Sequence, residues 1–195
     1  MRVGITRLFA AKQCCGLWLL VCLAWSLPAS AALDVKKSCQ DHVQRFYNYY
    51  LHYPNDPGPM PTEMRVIKEK KYAFSAQLEK LLRADYEASA KVSGEIVGLD
   101  FDPFTASQEE LEHYSADKVT LLSGKGKKTD SYLVDVYSVR GGKKEAKPAV
   151  IPELVNEQGK WVFVNFHYGK TEFPENENLI SVLKALAKSR LQPAK

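Results

Sequence analysis

The chain reads as an α+β domain with helices packed on an antiparallel sheet, and three observations predict it. Residues 34–53 and 76–91 carry apolar side chains at helical spacing, whereas from residue 119 onward the pattern switches to period two. The stretch 160–168 (KWVFVNFHY) is apolar on both faces and reads as a central strand around which the rest is organised. Helices come first and strands after, separated by tight-turn signals, the order of a fold with segregated layers.

The chain's 195 residues, 45% hydrophobic and 11% aromatic, suit one packed domain and leave no room for two independent cores. Residues 1–31 read as a secretory signal. Arg2, Arg7 and Lys12 form a basic start, the 12 residues GLWLLVCLAWSL follow, and Pro28-Ala29-Ser30-Ala31 offers a cleavage site after Ala31. Twelve helical residues span only about 18 Å against about 30 Å of hydrocarbon, so cleavage is expected and not a stable membrane anchor. The expected mature domain is then 32–195. Its Lys+Arg count falls from 27 to 24 against 23 acids, a net charge near +1. That balance argues against a nucleic-acid partner, which needs a concentrated basic face. Cys39 is the one cysteine left after residue 31, so no internal disulfide is expected. It reads as a small apolar residue on the packed face of the first helix.

That helix is marked by Cys39, Val43, Phe46, Tyr47, Tyr50 and Leu51, and it stops at residues 54–61, which hold four prolines. The run 68–71 reads as a solvated surface. Ser75 is an N-cap for the helix 76–91, with Leu78, Leu81 and Leu82 on its buried edge. Asp85 continues that stripe, and an acid on an apolar face needs a reason. Either the stripe frays near the end of the helix, or Asp85 hydrogen-bonds to a loop, or it projects into a cavity under the central strand. Asp100 and Asp102 with Phe101 and Phe104 read as a turn whose acids cap the backbone. The calcium-loop pattern breaks at Phe104 and Thr105. Ser107 and Glu110 match a capping box opening a short helix over 108–114.

Strands are expected over 119–123, 131–139 and 149–156, with a basic hairpin tip at 124–128 and a Gly141-Gly142 turn. Pro148 and Pro152 point to an edge or a bulge for the third of these. A closing helix over 177–191 carries Leu179, Val182, Leu183, Leu186 and Leu191, with Glu175 and Glu177 at its start.

No strong catalytic motif is present: HExxH, CxxC, a Gly-x-Ser-x-Gly elbow and a phosphate-binding loop are all missing, and His42, His52, His113 and His167 do not pair at metal-ligand spacing. No metal or other cofactor is expected. What remains is a constellation. Under strict alternation Asn165 and His167 share a face with Trp161 and Phe163. His167 polarised by Asp135 or Asp85 in an apolar pocket would be equipped for general acid–base chemistry of the isomerase, dehydratase or hydrolase type.

Residues 46–51 (FYNYYL), 75–82 (SAQLEKLL), the DFDPF turn at 100–104 with Gln108 after it, and Gly159-Lys160-Trp161 ahead of a short C-terminal helix together resemble an exported bacterial family, domain of unknown function 3828. The resemblance covers about residues 35–186. It implies the cystatin-like fold of nuclear transport factor two, a cone of helices across a strongly curved sheet, with a pocket in the cone and a tendency to form homodimers. It carries over no catalytic residue. The expected function is a non-catalytic binding domain of the envelope, periplasmic in a Gram-negative host, for a small molecule or an envelope protein. The pocket enzyme is the alternative. Tyr47, Tyr50, Asp85, Trp161, Phe163, Asn165 and His167 are the expected ligand-binding side chains, and the proline-rich loop and basic hairpin tips are the expected contacts if the ligand is a protein.

Overall fold

The computed structural model describes residues 29–53, 60–92, 98–107, 113–122, 129–169 and 178–191, with side chains from residue 34. The signal-like segment to residue 28, the prolines at 54, 57 and 59, Glu110, the tip 124–128, and Glu175 with Glu177 lie outside the described residues. Four helices and six strands are described: α1 (Ala29–Leu51), α2 (Thr62–Glu69), β1 (Ala73–Phe74), α3 (Ala76–Ser89), β2 (His113–Leu122), β3 (Ser131–Arg140), β4 (Lys143–Lys144), β5 (Val150–Glu157), β6 (Lys160–Tyr168) and α4 (Leu179–Ser189). The sheet order is β1-β6-β5-β3-β2, with β4 beside β3, and every pairing but β1 with β6 is antiparallel. The fold is α+β.

α1 buries the predicted stripe Cys39, Val43, Phe46, Tyr47 and Tyr50 against the sheet. The ring of Phe46 meets those of Tyr47, Tyr50, Tyr72, Phe74, Phe104 and Phe163, at centroid separations that favour edge and offset contacts. Two α1 glutamines bind the outer edge of β2. Gln44 Nε2 donates to Tyr114 O at 2.9 Å, Ala116 N donates to Gln44 Oε1 at 2.8 Å, and Gln40 Nε2 donates to Ala116 O at 3.0 Å. These side chains supply part of what a further strand would, so that half of the edge is closed.

α2 is an element that the sequence reading lacks. It has only eight residues, buries an edge of Met64, Val66 and Ile67, and ends at Lys70 in the left-handed region (φ 56°), whose N–H bonds back to Ile67 O. Ser75 caps α3 as predicted, its Oγ accepting from Leu78 N. The short helix expected over 108–114 is corrected at its end: His113 and Tyr114 already belong to β2, which therefore begins earlier than residue 119. Tyr114 is buried with its ring tilted 5.2 Å from Tyr47, and that tertiary contact outweighs the local capping pattern. Gly141 and Gly142 both have positive φ (54° and 73°), the conformation that a tight hairpin between β3 and β4 requires.

β5 is an interior strand rather than an edge, and of the two expectations it is the bulge that is met, as a register shift against β6 between Glu153 and Leu154. Pro152 is tolerated there because the β3–β5 ladder pairs Leu133 with Glu153 and next Val136 with Val150, passing over the proline that has no N–H to give. β6 has the predicted bounds but lies next to the sheet margin, flanked by the two-residue β1. α4 packs on β6 and α3, with Leu179, Val182 and Leu183 buried and Asn178 as its N-cap.

Candidate functional site

The β6 constellation is split by a bulge. Phe163 pairs with Leu154 but Asn165 pairs with Glu153, so β6 spends one extra residue, Val164, in one step of its partner. Alternation restarts beyond it. Phe166 joins Phe163 on the inner face, the two rings stacked with centroids 5.5 Å apart, and Asn165 and His167 fall on the outer face. The expected grouping of Asn165 and His167 with Trp161 and Phe163 is thereby corrected. Two large rings three apart in one strand are the signal of this bulge in the sequence.

On the outer face His167 Nε2 lies 2.9 Å from Glu153 Oε2, so its carboxylate partner is neither Asp135 nor Asp85. Asn165 Oδ1 accepts from Phe166 N and from Ile180 N at 3.0 and 3.2 Å, tying β6 to the start of α4. Asp85 is buried on α3, where Oδ2 accepts from Leu99 N at 3.0 Å and Oδ1 receives Arg190 Nη1 at 2.7 Å. The hydrogen bond to a loop is therefore found, with an ion pair added to it.

Tyr47 and Tyr50 face the turn at 102–105. Tyr47 donates to Phe104 O at 2.7 Å, Tyr50 to Asp102 Oδ2 at 2.9 Å, Tyr168 to Pro103 O at 3.0 Å and Tyr114 to Thr105 O at 3.3 Å. Asp102 Oδ1 caps the turn as predicted, accepting from Phe104 N and Thr105 N. Burial pushes the Asp102 carboxyl up against these hydrogen bonds, and burial, with the Asp102 charge behind it, lifts Glu63 of α2 to about 6. Phe104, Phe163 and Phe166 are fully buried beside the two tyrosines, and Trp161 donates through Nε1 to Ser38 Oγ on α1. Of the expected lining residues, Tyr47, Tyr50, Trp161 and Phe163 are thus core in this structure, the polar atoms of the first three engaged by backbone or by other side chains.

An opening of about 510 Å³ lies elsewhere, at the end of α1 along α2, lined by Tyr53, Met60, Arg65, Lys68 and Glu69. Tyr49 and Tyr53, one helical turn apart, donate their hydroxyls to the two oxygens of Glu69. Those donors, Tyr49 first and Tyr53 next, hold the Glu69 carboxyl below its ordinary range. The Arg65 guanidinium sits 5.1 Å over the Tyr53 ring and Lys71 Nζ 3.8 Å over Tyr49. The result is a platform of two rings pinned by one acid and bordered by cations. The sequence reading saw the 68–71 run only as a solvated surface. Its residues are exposed, and two of them, Lys68 and Glu69 at the end of α2, line a groove.

Among the described residues no three His, Cys, Asp or Glu side chains gather to hold a metal ion, and no described helix is long and apolar enough to cross a membrane. Comparison with protein-family models, curated proteins and solved structures gives no match for this chain.

Proposed function

We propose that the chain is an exported, non-catalytic binding domain of the bacterial envelope that engages another protein through the groove between the end of α1 and α2. Export is read from the signal-like residues 1–31, and the likeness to domain of unknown function 3828 supports an envelope role. The observation that carries the binding site is the open groove of about 510 Å³ with its ring-and-cation wall. Small-molecule sites commonly enclose most of their ligand, about 70–90% of its surface. An open groove beside exposed side chains is better suited to one part of a larger partner. The aromatic filling of the inner sheet face favours the same choice over a ligand held inside a cone.

The test places a photo-crosslinking amino acid at Met60 or Lys68 in the chain expressed in its own host, with Leu133 on the outer sheet face as control. A protein adduct from the groove positions and none from Leu133 is expected. Absence of any adduct at Met60 and Lys68 would refute the reading. Recovery of the full chain from the cytoplasm with residues 1–31 attached would refute export.

A further inference from the structure

We infer that the segment docking in this groove is acidic and extended, with carboxylates flanking an aliphatic or aromatic side chain, an inference that rests on the groove being a protein-binding site. The lining carries Arg65 and Lys68, and Lys71 stands beside it over the Tyr49 ring, which packs on Tyr53, whereas the groove's carboxylate, Glu69, already accepts from two phenols. Among the described residues neither Lys68 nor Lys71 has an ion-pair partner. The wall thus offers cations and ring faces to a ligand, and its two tyrosine hydroxyls are taken up as donors to Glu69. Met60 and the Tyr53 ring give a soft apolar surface between the charges.

Size sets the length of the occupant. α2 has eight residues and so runs about 12 Å, the reach of three or four extended residues. An acid-apolar-acid segment places its middle side chain on Tyr53 and Met60 while its carboxylates meet Lys68 and Lys71. Charge complementarity of this kind supplies specificity and salt sensitivity more than raw affinity.

The experiment uses the chain from residue 32 with three probes: the peptide Glu-Glu-Phe-Glu-Glu, its counterpart Lys-Lys-Phe-Lys-Lys, and decanoate as a small amphiphilic anion. Amide shifts in NMR spectra should move at residues 60, 65 and 68–71 with the acidic peptide alone. The double variant Lys68→Glu, Lys71→Glu changes two exposed side chains and should weaken that binding about tenfold, the effect of about 1.4 kcal/mol. Equal shifts with the basic peptide, equal shifts with decanoate, no shifts with the acidic one, or binding unaffected by the double variant would each overturn the inference. The crosslinks from Met60 and Lys68 separate the two levels. A captured segment that is neutral or basic sinks the acidic chemistry and leaves the docking site standing, whereas no capture removes the docking site itself.

Discussion

Tyr50 donates its hydroxyl to Asp102 Oδ2 at 2.9 Å inside the core, so a side chain of α1 holds the carboxylate that shapes the turn leading toward β2. Tyr47, one position round the same helix face, donates instead to the neutral carbonyl of Phe104. Without the Tyr50 hydroxyl a buried carboxyl is left one donor short, whereas without that of Tyr47 only a neutral backbone carbonyl is. Tyr50→Phe should therefore destabilise the domain by about 2 kcal/mol and Tyr47→Phe by about 1 kcal/mol. Urea unfolding followed by fluorescence checks the order, and equal midpoints for the two variants would contradict it.

Asp85 joins three elements, since its two oxygens take the amide of Leu99 and the guanidinium of Arg190 at the end of α4. Asp85→Ala should cost about 3 kcal/mol, because a partly buried cation and a backbone N–H lose their shared acceptor together. A double-mutant cycle with Arg190→Met should return a coupling of about 1 kcal/mol or more. The same corner makes Gly98 sensitive. A Cβ there would collide with Ser89 Oγ and stand 2.8 Å from Asp85 Oδ2. Gly98→Ala should be destabilising, and partly rescued by Ser89→Gly, in thermal unfolding.

What was legible in the sequence is what local periodicity controls. The α1 stripe, the Ser75 cap, the Asp102 turn and the bounds of β6 are each written within a few residues of chain. What escaped is set by contacts between distant segments. Tyr114 enters β2 because it packs on Tyr47, and Pro152 sits in an interior strand because the β3 ladder passes over it. The candidate site suffered most from one residue, since Val164 turns the partners expected beside Trp161 to the other face of the sheet. The groove was hidden for a different reason: its rings and cations come from two separate segments of chain, and the second helix has only eight residues, too short a window for its apolar edge to establish a period.

Gln44 closes the edge of β2 with both ends of its amide, accepting from Ala116 N and donating to Tyr114 O. Gln44→Ala opens two backbone groups of an edge strand and should cost about 1–2 kcal/mol. It should also promote edge-to-edge association, seen as a concentration-dependent shift in size-exclusion chromatography. A variant that stays at the wild-type elution volume and loses no stability would show that the glutamine is not what guards this edge.

His42 and Glu63 give the domain opposing pH dependences. Burial, with Arg45 adding to it, lowers the His42 imidazole to about 4, and its ring lies between Tyr72 and Phe163 with Nε2 unpartnered among the described residues. Its depressed pKa means that stability is full above pH ~6.5 and is lost as pH falls toward 4. Glu63 is lifted by burial from 4.5 to about 6, so its contribution is full below 4.5 and is lost as pH rises through 6. The two overlap between about pH 4.5 and 6 and partly cancel, which should leave the wild-type stability curve flat there. His42→Phe fits the ring site without a chargeable group and should unmask a decline from about pH 4.5 to 6. Glu63→Gln should unmask a rise over the same window. Urea midpoints measured at half-unit pH intervals decide this, and variant curves parallel to the wild type would mean that neither group is held away from its ordinary titration.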